Sequence, residues 1–336
     1  MDRGQDMAVK IYEFEYSSGI GEYIASFVRQ KRVAGYPYNE SARILQYFDH
    51  MIFEEFPEAE TITKQIIDCW ISHQSQVHQN TLLRRMTPVR QLSVYMSGLD
   101  IETYIVPGHI PDKQIRYDPH IYTKEELIRL FEVIDNLPVS VFSPYKCYIA
   151  PVLFRFCFLC GMRLSETINL KTEDVDADNG IMTIQESKSW KKRKIFLSDE
   201  LIGMVKEYDE IISKIVLNRK MFFPAVKGDK PIHPGSIDLW FRLFKEEAFK
   251  GIDHLDARMR IHDLRHTYAT ERLNRWTEEG IDVSVMYPYF SRYLGHSNFY
   301  DTDYYLKLAP SFYPEMNKRM KSLNSQILPE VIDEDL

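Results

Sequence analysis

Apolar residues recur at helical spacing along most of this chain, and this periodicity limits what the chain can fold into. In residues 20–28 the apolar positions are 20, 23, 24, 27 and 28, which share one face of an α-helix. Similar stripes begin near residues 39, 63 and 80, where Thr63 is a suitable N-cap. No strand-like alternation interrupts them, so residues 20–105 are predicted to form a compact all-helical module.

A proline-rich segment then divides the chain. Residues 106–121 hold three prolines, few aliphatic side chains and mixed charge, which is typical of a linker. Thr123 and Glu126 have the spacing of a capping box and open a new helix. For a chain of 336 residues this predicts two domains. The predicted boundaries are 18–106 for the first domain, 107–121 for the linker, 122–320 for the second domain and 321–336 for an acidic tail.

The second domain is predicted to be rich in α-helix and to contain one small sheet. Residues 180–186 and 193–197 alternate like strands, and a lysine-rich turn at 187–192 joins them as a hairpin. The predicted helices are 149–170, with a tight step at 161–163, and then 199–217, 235–250, 262–276 and 282–294. The predicted fold class is therefore mainly α, with a helical N-terminal domain and an α-rich second domain carrying a small antiparallel sheet or hairpin.

Composition excludes some classes of protein. The chain is 44% hydrophobic, but it lacks the apolar run of about 18 residues that a membrane span needs, and its N-terminus lacks the apolar core of a secretory signal. Cys157 and Cys160 have CxxC spacing within an apolar run and no second pair, which favours a core helix over a zinc or redox site. We therefore expect a cytoplasmic protein in a reducing compartment.

The net charge of −7 argues weakly against a nucleic-acid partner. Part of that charge is concentrated at the end of the chain, because residues 326–336 contain four acids and no base. A local basic surface is compatible with an acidic total, since the field at a cleft depends on where the charges lie.

Two arginines in the second domain attract attention, although each has an ordinary explanation. Arg163 lies in an apolar segment, where a buried charge needs a partner, and Glu166 three residues later is a suitable one. His262 and Arg265 are spaced i, i+3 and share a helix face. A structural ion pair and a capped helix start would account for both.

A histidine and a tyrosine near the end of the second domain are further candidate site residues. His296 follows Gly295, which marks a helix stop, and there a histidine ordinarily interacts with the helix dipole. Tyr305 lies nine residues later within an aromatic cluster, and helix packing would explain it. Taken together, two arginines, two histidines and a tyrosine could hold a phosphodiester and attack it without a metal.

In order and spacing these residues resemble the tyrosine recombinase (phage integrase) family over roughly residues 20–320. The resemblance rests on GMRLSE at 161–166, HDLRHTYAT at 262–270, LGHS at 294–297, Tyr305 nine residues after His296, and Lys188 nine residues before Leu197. Residues 20–105 resemble the family's SAM-like core-binding domain, which binds DNA. Residues 310–336 resemble the C-terminal helix and tail that family members dock onto a neighbouring protomer, and the acidic end could instead be disordered.

The resemblance implies a catalytic role for each residue. Arg163 and Arg265 would stabilise the negative charge that builds on the non-bridging oxygens. Tyr305 would be the nucleophile and form a covalent 3′-phosphotyrosine. Since tyrosine has a pKa of about 10, it needs a base or positive charge nearby, and His262 is the candidate base or proton relay. Lys188 would be the general acid for the 5′-oxygen, and His296 would donate a hydrogen bond to the phosphate.

Several assignments have alternatives. Tyr304 adjoins Tyr305 and could take its place, and Lys191 is the second candidate for the general acid. Residues 191–194 could be a solvated charge run or could contact phosphates, as we expect of Lys191 and Lys192. In the first domain, Arg84, Arg85 and Arg90 are candidate phosphate contacts.

The predicted function is site-specific DNA recombination through a Holliday junction, without metal or cofactor. The partners would be a specific double-stranded DNA site, held in a C-shaped two-domain clamp, and three further copies in a homotetramer on two DNA sites. Accessory DNA-bending proteins are a further open class of partner, and no membrane is expected. The alternatives are a type IB topoisomerase-like nicking and resealing activity and a DNA-binding protein of the same fold that does not cut.

Overall fold

The computed structural model describes residues 11–108, 117–185, 192–252, 259–296, 298 and 300–308. The chain divides into two compact units, Met1–Tyr117 and Asp118–Leu336. The division falls within the segment predicted as the linker.

The first unit is built from helices. They are α1 (Gly21–Val33), α2 (Asn39–Glu55), α3 (Lys64–Ser72) and α4 (Gln79–Ser97). Thr63 caps α3, because its side chain accepts a hydrogen bond from the backbone N–H of Ile66. The apolar stripes meet in one core, in which Phe48 and Trp70 pack edge to face with ring centroids 5.3 Å apart.

The second unit contains most of the helices and the sheet. Its helices are α5 (Lys124–Asp135), α6 (Lys146–Leu159), α7 (Leu164–Ile168), α8 (Asp199–Ile215), α9 (Pro234–Ala248), α10 (Ile261–Glu278), α11 (Val283–Leu294) and α12 (Tyr300–Leu308). Its strands are β1 (Val175–Asp176), β2 (Ile181–Ile184) and β3 (Arg193–Phe196). The mainly α fold class with one small antiparallel sheet is confirmed.

The sheet has the order β1-β2-β3, and both pairings are antiparallel. In β2 and β3, Ile181 pairs with Phe196 and Ile184 pairs with Arg193. The sequence predicted β2 and β3, whereas the two-residue strand β1 is too short to give an alternating pattern. In β3, Arg193 and Ile195 point inward and Lys194 and Phe196 point outward.

Helix boundaries follow local signals. Thr123 and Glu126 form the predicted capping box at the start of α5. The predicted helix over 149–170 is interrupted after Leu159, because Gly161 adopts a left-handed backbone with φ of 59°. Gly295 ends α11 in the left-handed conformation, as predicted.

Helix α6 carries the centre of the second core. Cys157 lies within α6 and Cys160 is its C-cap residue, and both are free thiols buried in the core, as predicted. In the part of the chain that the structure describes, the helices are all too short or too polar to cross a membrane.

A matched pair of phenylalanines tests the position of this core. Phe154 on α6 is fully buried, whereas Phe142 in the preceding loop is 94% exposed. Phe154→Ala should lower the free energy of unfolding by about 3–5 kcal/mol, because it removes buried apolar surface and leaves a cavity. Phe142→Ala should change it by less than about 0.5 kcal/mol. Urea denaturation of both variants measures the difference, and equal losses would contradict the core assignment.

Candidate active site

The innermost group of the site is the guanidinium of Arg265 on α10, which is 1% exposed. Its Nη1 donates to the carbonyl oxygen of Gly161 at 2.6 Å, and its Nη2 donates to that of Leu294 at 2.7 Å. Nη2 also lies 3.0 Å from Nε2 of His296. A buried charge needs such partners, so Arg265 joins α10 to the turn before α7 and to the end of α11.

Two left-handed glycines shape the backbone around the arginines. A Cβ at Gly161 would lie 2.4 Å from the ring of Tyr268, and a Cβ at Gly295 would lie 2.7 Å from Nη1 of Arg193. The carbonyl of Gly161 accepts from Arg265, and the carbonyl of Gly295 accepts from Nη2 of Arg163 at 2.8 Å. Each glycine therefore presents a carbonyl to one arginine where a larger residue would not fit.

Arg163 is fixed by a carboxylate as well. Its Nη1 lies 2.9 Å from Oε1 of Glu166, and its backbone N–H donates to Oε2 at 3.0 Å. The expected pair of Arg163 and Glu166 is thus present. Arg193 shares the same carboxylate, with Nη1 at 3.0 Å from Oε1 and Nη2 at 2.7 Å from Oε2. The site therefore contains three arginines. Arg163 and Arg193 bind the carboxylate of Glu166, and Arg163 and Arg265 bind backbone carbonyls of the two turns.

Glu166 is ionised in this setting. Burial by itself would raise its pKa, but the hydrogen bonds and charge of Arg193, followed by those of Arg163, lower the pKa to about 2. Near neutral pH the group of Arg163, Arg193 and Glu166 consequently carries one net positive charge.

Tyr305 on α12 is buried among these groups and is 2% exposed. Its ring stacks on His296 with centroids 5.9 Å apart and planes 8° apart, and it lies 5.3 Å from the ring of His266. Tyr305 also lies close enough to Arg265 to interact with its charge. The guanidinium therefore lies where it would stabilise a negative charge on the phenol oxygen.

His296 is oriented from both ring nitrogens. Its Nδ1 lies 2.6 Å from the hydroxyl of buried Thr302, and Nε2 faces Arg265. Because a guanidinium can only donate, Nε2 accepts, and the neutral ring carries its proton on Nδ1. A hydrogen bond from Nε2 to a phosphate would require another tautomer or a second proton, and that predicted role stays a prediction.

The three histidines of the site are held neutral. Desolvation, followed by the charge of Arg265, lowers the pKa of His296 to about 3. Desolvation, followed by His262 and Arg265, lowers the pKa of His266 to about 3. For His262, desolvation and then Arg265 and Arg163 lower the pKa to about 4. His262 is exposed to solvent, so the charges of Arg265 and Arg163 are the firmer cause of its low pKa. A neutral histidine can accept a proton, as a general base must.

The structure brings four of the predicted catalytic residues into one network: Arg163, Arg265, His296 and Tyr305. His262 lies next to this network, with its ring 4.7 Å from that of His266. Lys188 and Lys191 lie outside the described residues, as does the side chain of Tyr304. Lys192 is exposed.

The candidate phosphate contacts of the first unit each have a partner within the chain. Arg84 forms an exposed ion pair with Glu40 at 3.1 Å, and Arg85 donates to the side chain of Gln74. Arg90 donates to the backbone carbonyls of Val106 and Pro107. Their contact with DNA stays a prediction.

Sequence reasoning missed three residues of the site. Arg193 belongs to the run at 191–194 for which a solvated surface was one alternative, and for Arg193 that alternative is wrong because it is buried against Glu166. The available signal was that Arg193 lies two residues before Ile195 and therefore on the same, inward face of β3. His266 and Thr302 gave no such signal, because their roles depend on contact with Tyr305 and His296.

One group of potential metal ligands lies in the first unit, among the described residues. Glu55, Cys69 and His73 bring ligand atoms within 4.8 Å of one another. An ion pair of 3.0 Å between His73 and Glu55 and a hydrogen bond from the Cys69 thiol to Glu55 account for this arrangement. It belongs to the helical first unit, whereas the arginines and Tyr305 belong to the second.

Known proteins are similar to this chain in sequence. A family model described as phage integrase matches residues 121–311. The Sinorhizobium fredii protein y4rB, named provisionally as an integrase/recombinase, is 27% identical over 314 residues, covering 89% of this chain and 96% of its own. Tyrosine recombinase XerA of Thermococcus kodakarensis is 28% identical over 228 residues, covering 66% of this chain and 69% of its own.

Solved structures agree on the fold. The Tn1549 transposon integrase in complex with transposon right end DNA has a TM-score of 0.61 at 14% identity, covering 90% of this chain and 99% of that one. The XerH site-specific recombinase bound to a palindromic difH substrate has a TM-score of 0.60 at 18% identity, covering 84% and 79%. The fold and the matched sequence define a tyrosine-type DNA breaking and rejoining enzyme. The chain belongs to the phage integrase family.

Substitution of Gly295 tests the packing of the arginines. Gly295→Ala adds a left-handed alanine, which costs roughly 1–2 kcal/mol of stability, and a Cβ that displaces Arg193 and Arg163. Gly280 is the matched control, since it has a φ of 70° and open space around its Cβ position. Gly280→Ala should show the backbone cost alone in urea denaturation, whereas Gly295→Ala should lose more. Equal losses would mean that the arginines accommodate the added carbon.

The low pKa of the partly buried His266 predicts a dependence of stability on pH. Since the folded-state pKa of His266 lies near 3 and its ordinary value is 6.5, the unfolded chain binds more protons between these values. Stability should therefore fall as the pH drops below 6.5, by at most about 1.4 kcal/mol per pH unit for His266. His266→Gln should reduce this slope between pH 6.5 and 4.5 in urea titrations, and an unchanged slope would contradict it.

Proposed function

We propose that this recombinase cleaves DNA with Tyr305 as the nucleophile and with Arg163 and Arg265 as the groups that stabilise the pentacovalent phosphate. The observation that supports this most is the position of Tyr305, which is buried, stacks on His296 and lies within reach of the charge of Arg265. Phosphoryl transfer builds negative charge on the non-bridging oxygens, and positioned guanidinium groups stabilise that charge.

The proton transfers of the reaction are assigned to two further residues. His262 is proposed as the base or relay for the tyrosine proton, because its ring lies next to the network and is in the neutral, proton-accepting form near pH 7. Lys188, with Lys191 as the alternative, is proposed to protonate the departing 5′-oxygen. Attack by Tyr305 then forms the 3′-phosphotyrosine and releases a 5′-hydroxyl. The covalent bond conserves the energy of the phosphodiester, so rejoining needs neither ATP nor a metal.

Tyr305 is proposed to act in cis. Its partners Arg265, His296 and His266 belong to the same chain. A tyrosine that attacked DNA held by a neighbouring protomer would have to move out of this pocket.

Arg163 lies at the outer edge of the network. It is the most solvent-exposed of the three site arginines, so a DNA phosphate can approach it.

The proposed partner is a specific double-stranded DNA site, read by residues 18–106 together with the catalytic domain at 122–320. Arg84, Arg85, Arg90, Lys191 and Lys192 are proposed to contact its phosphates. XerH has been solved bound to a difH substrate and the Tn1549 integrase in complex with transposon right end DNA, which supports a DNA partner for this chain. We further propose a homotetramer on two DNA sites, and the acidic residues 321–336 as a tail beyond the catalytic domain.

Covalent trapping tests the nucleophile without knowledge of the target sequence. A randomised library of nicked duplexes, in which the short cleaved fragment diffuses away, should yield DNA covalently attached to the wild-type protein after denaturation. Sequencing this DNA should reveal inverted repeats around the cleaved position. Tyr305→Phe should abolish the adduct, because it removes the attacking oxygen, and Tyr304→Phe should retain it.

The reverse pattern would assign the nucleophile to Tyr304. An adduct formed by both variants would overturn the tyrosine mechanism. With the recovered site in hand, strand transfer between two labelled duplexes separates recombination from topoisomerase-like resealing, which would rejoin each duplex only to itself.

A further inference from the structure

Arg193 is the third arginine of the site, and its geometry differs from that of the other two. Its side chain is 6% exposed, although it begins a strand next to a run of lysines. Both of its terminal nitrogens bind Glu166, one on each carboxylate oxygen, at 3.0 and 2.7 Å. This is the two-point arrangement in which an arginine binds a carboxylate most firmly.

Arg163 is held more loosely by the same carboxylate. Its side chain is 23% exposed and reaches Glu166 through one nitrogen and one oxygen, at 2.9 Å. Its other terminal nitrogen binds the carbonyl of Gly295 at 2.8 Å. Arg163 is therefore the outer arginine, and Arg193 is the inner one.

The inner arginine determines how Glu166 and Arg163 interact. Each oxygen of Glu166 accepts one hydrogen bond from Arg193, and Oε2 also accepts from the backbone N–H of Arg163, so Glu166 has room for only one side-chain nitrogen of Arg163. The positive charge of Arg193 balances the negative charge of the Glu166 carboxylate. The positive charge of Arg163 therefore remains available to interact with a phosphate. The planar fork of Arg193 also lies beside Gly295, where a Cβ would be 2.7 Å from its Nη1. Both acceptors of Arg163 are thus bordered by Arg193.

We propose that Arg193 is a positioning residue that holds Glu166 in place and keeps the charge and free donors of Arg163 directed at the scissile phosphate. The inference rests on the proposed role of Arg163. Arg193 does not itself touch the phosphate, because its side chain is buried and both terminal nitrogens are committed to Glu166. A lysine keeps the positive charge but has a single ammonium group in place of two terminal nitrogens, so it cannot bind both carboxylate oxygens of Glu166 in the same way.

Single-turnover cleavage of the recovered nicked site, with protein in excess, tests the proposal. Arg193→Lys should slow formation of the covalent complex by about 10- to 100-fold, as expected for a misplaced catalytic group. DNA affinity and melting temperature should stay close to wild type. Arg155→Lys is the matched control, because Arg155 forms a similar two-point pair with Asp135, at 2.7 and 2.6 Å, away from the site. Its cleavage rate should not change.

A second substrate separates positioning from a general structural role. Replacing the scissile phosphate by a methylphosphonate removes its negative charge, so a residue that acts on that charge becomes less important. The penalties of Arg163→Ala and Arg193→Lys should then shrink together. In an Arg163→Ala background, Arg193→Lys should add little further loss on the ordinary phosphate. If Arg193→Lys melts below the assay temperature, Arg193→Gln, which keeps a hydrogen-bond donor for Glu166, takes its place.

The outcomes distinguish the inference from the function on which it rests. Wild-type cleavage by Arg193→Lys, or a penalty that persists on the methylphosphonate while that of Arg163→Ala shrinks, would overturn the positioning role alone. A penalty of Arg163→Ala that persists on the neutral substrate would overturn the role of Arg163. Absence of any adduct with the wild-type protein would overturn the proposed cleavage mechanism itself.

Discussion

A guanidinium that is almost wholly removed from water must find acceptors, and Arg265 finds them in the backbone of two separate turns. One is the carbonyl of Gly161, before α7, and the other is that of Leu294, at the end of α11. The chain separation between these turns exceeds a hundred residues. Satisfying one charge thereby brings together the segments that carry Arg163 and His296, and α12 adds Tyr305 against the same group.

The carboxylate of Glu166 has the complementary role for the two other arginines. Three positive charges within one site would repel one another and would be costly to bury. Glu166 offsets one of these charges and gives Arg163 and Arg193 a common geometry. Desolvation, followed by the remaining positive charge of Arg265 and Arg163, keeps the nearby His262 and His296 neutral.

Local signals in the sequence were sufficient for most of the secondary structure. Thr63, Thr123 and Gly295 mark helix ends through interactions within a few residues, so their roles were predictable. The strand β1 was not predicted, because two residues cannot display a period. The order and spacing of Arg163, Arg265, His296 and Tyr305 also indicated the family, and the family match agrees.

The sequence by itself determined the two-domain helical organisation, the family and the residue types that can hold and attack a phosphodiester, because periodicity, caps and motif spacing are local properties of the chain. The tertiary structure alone decided that Arg193 is buried against Glu166, that Thr302 orients His296, and that His266 lies beside Tyr305. The physical reason is that these contacts join residues on different elements. In the sequence Arg193 is one more cation in a basic run, and only the packing of β3 shows which carboxylate its charge balances.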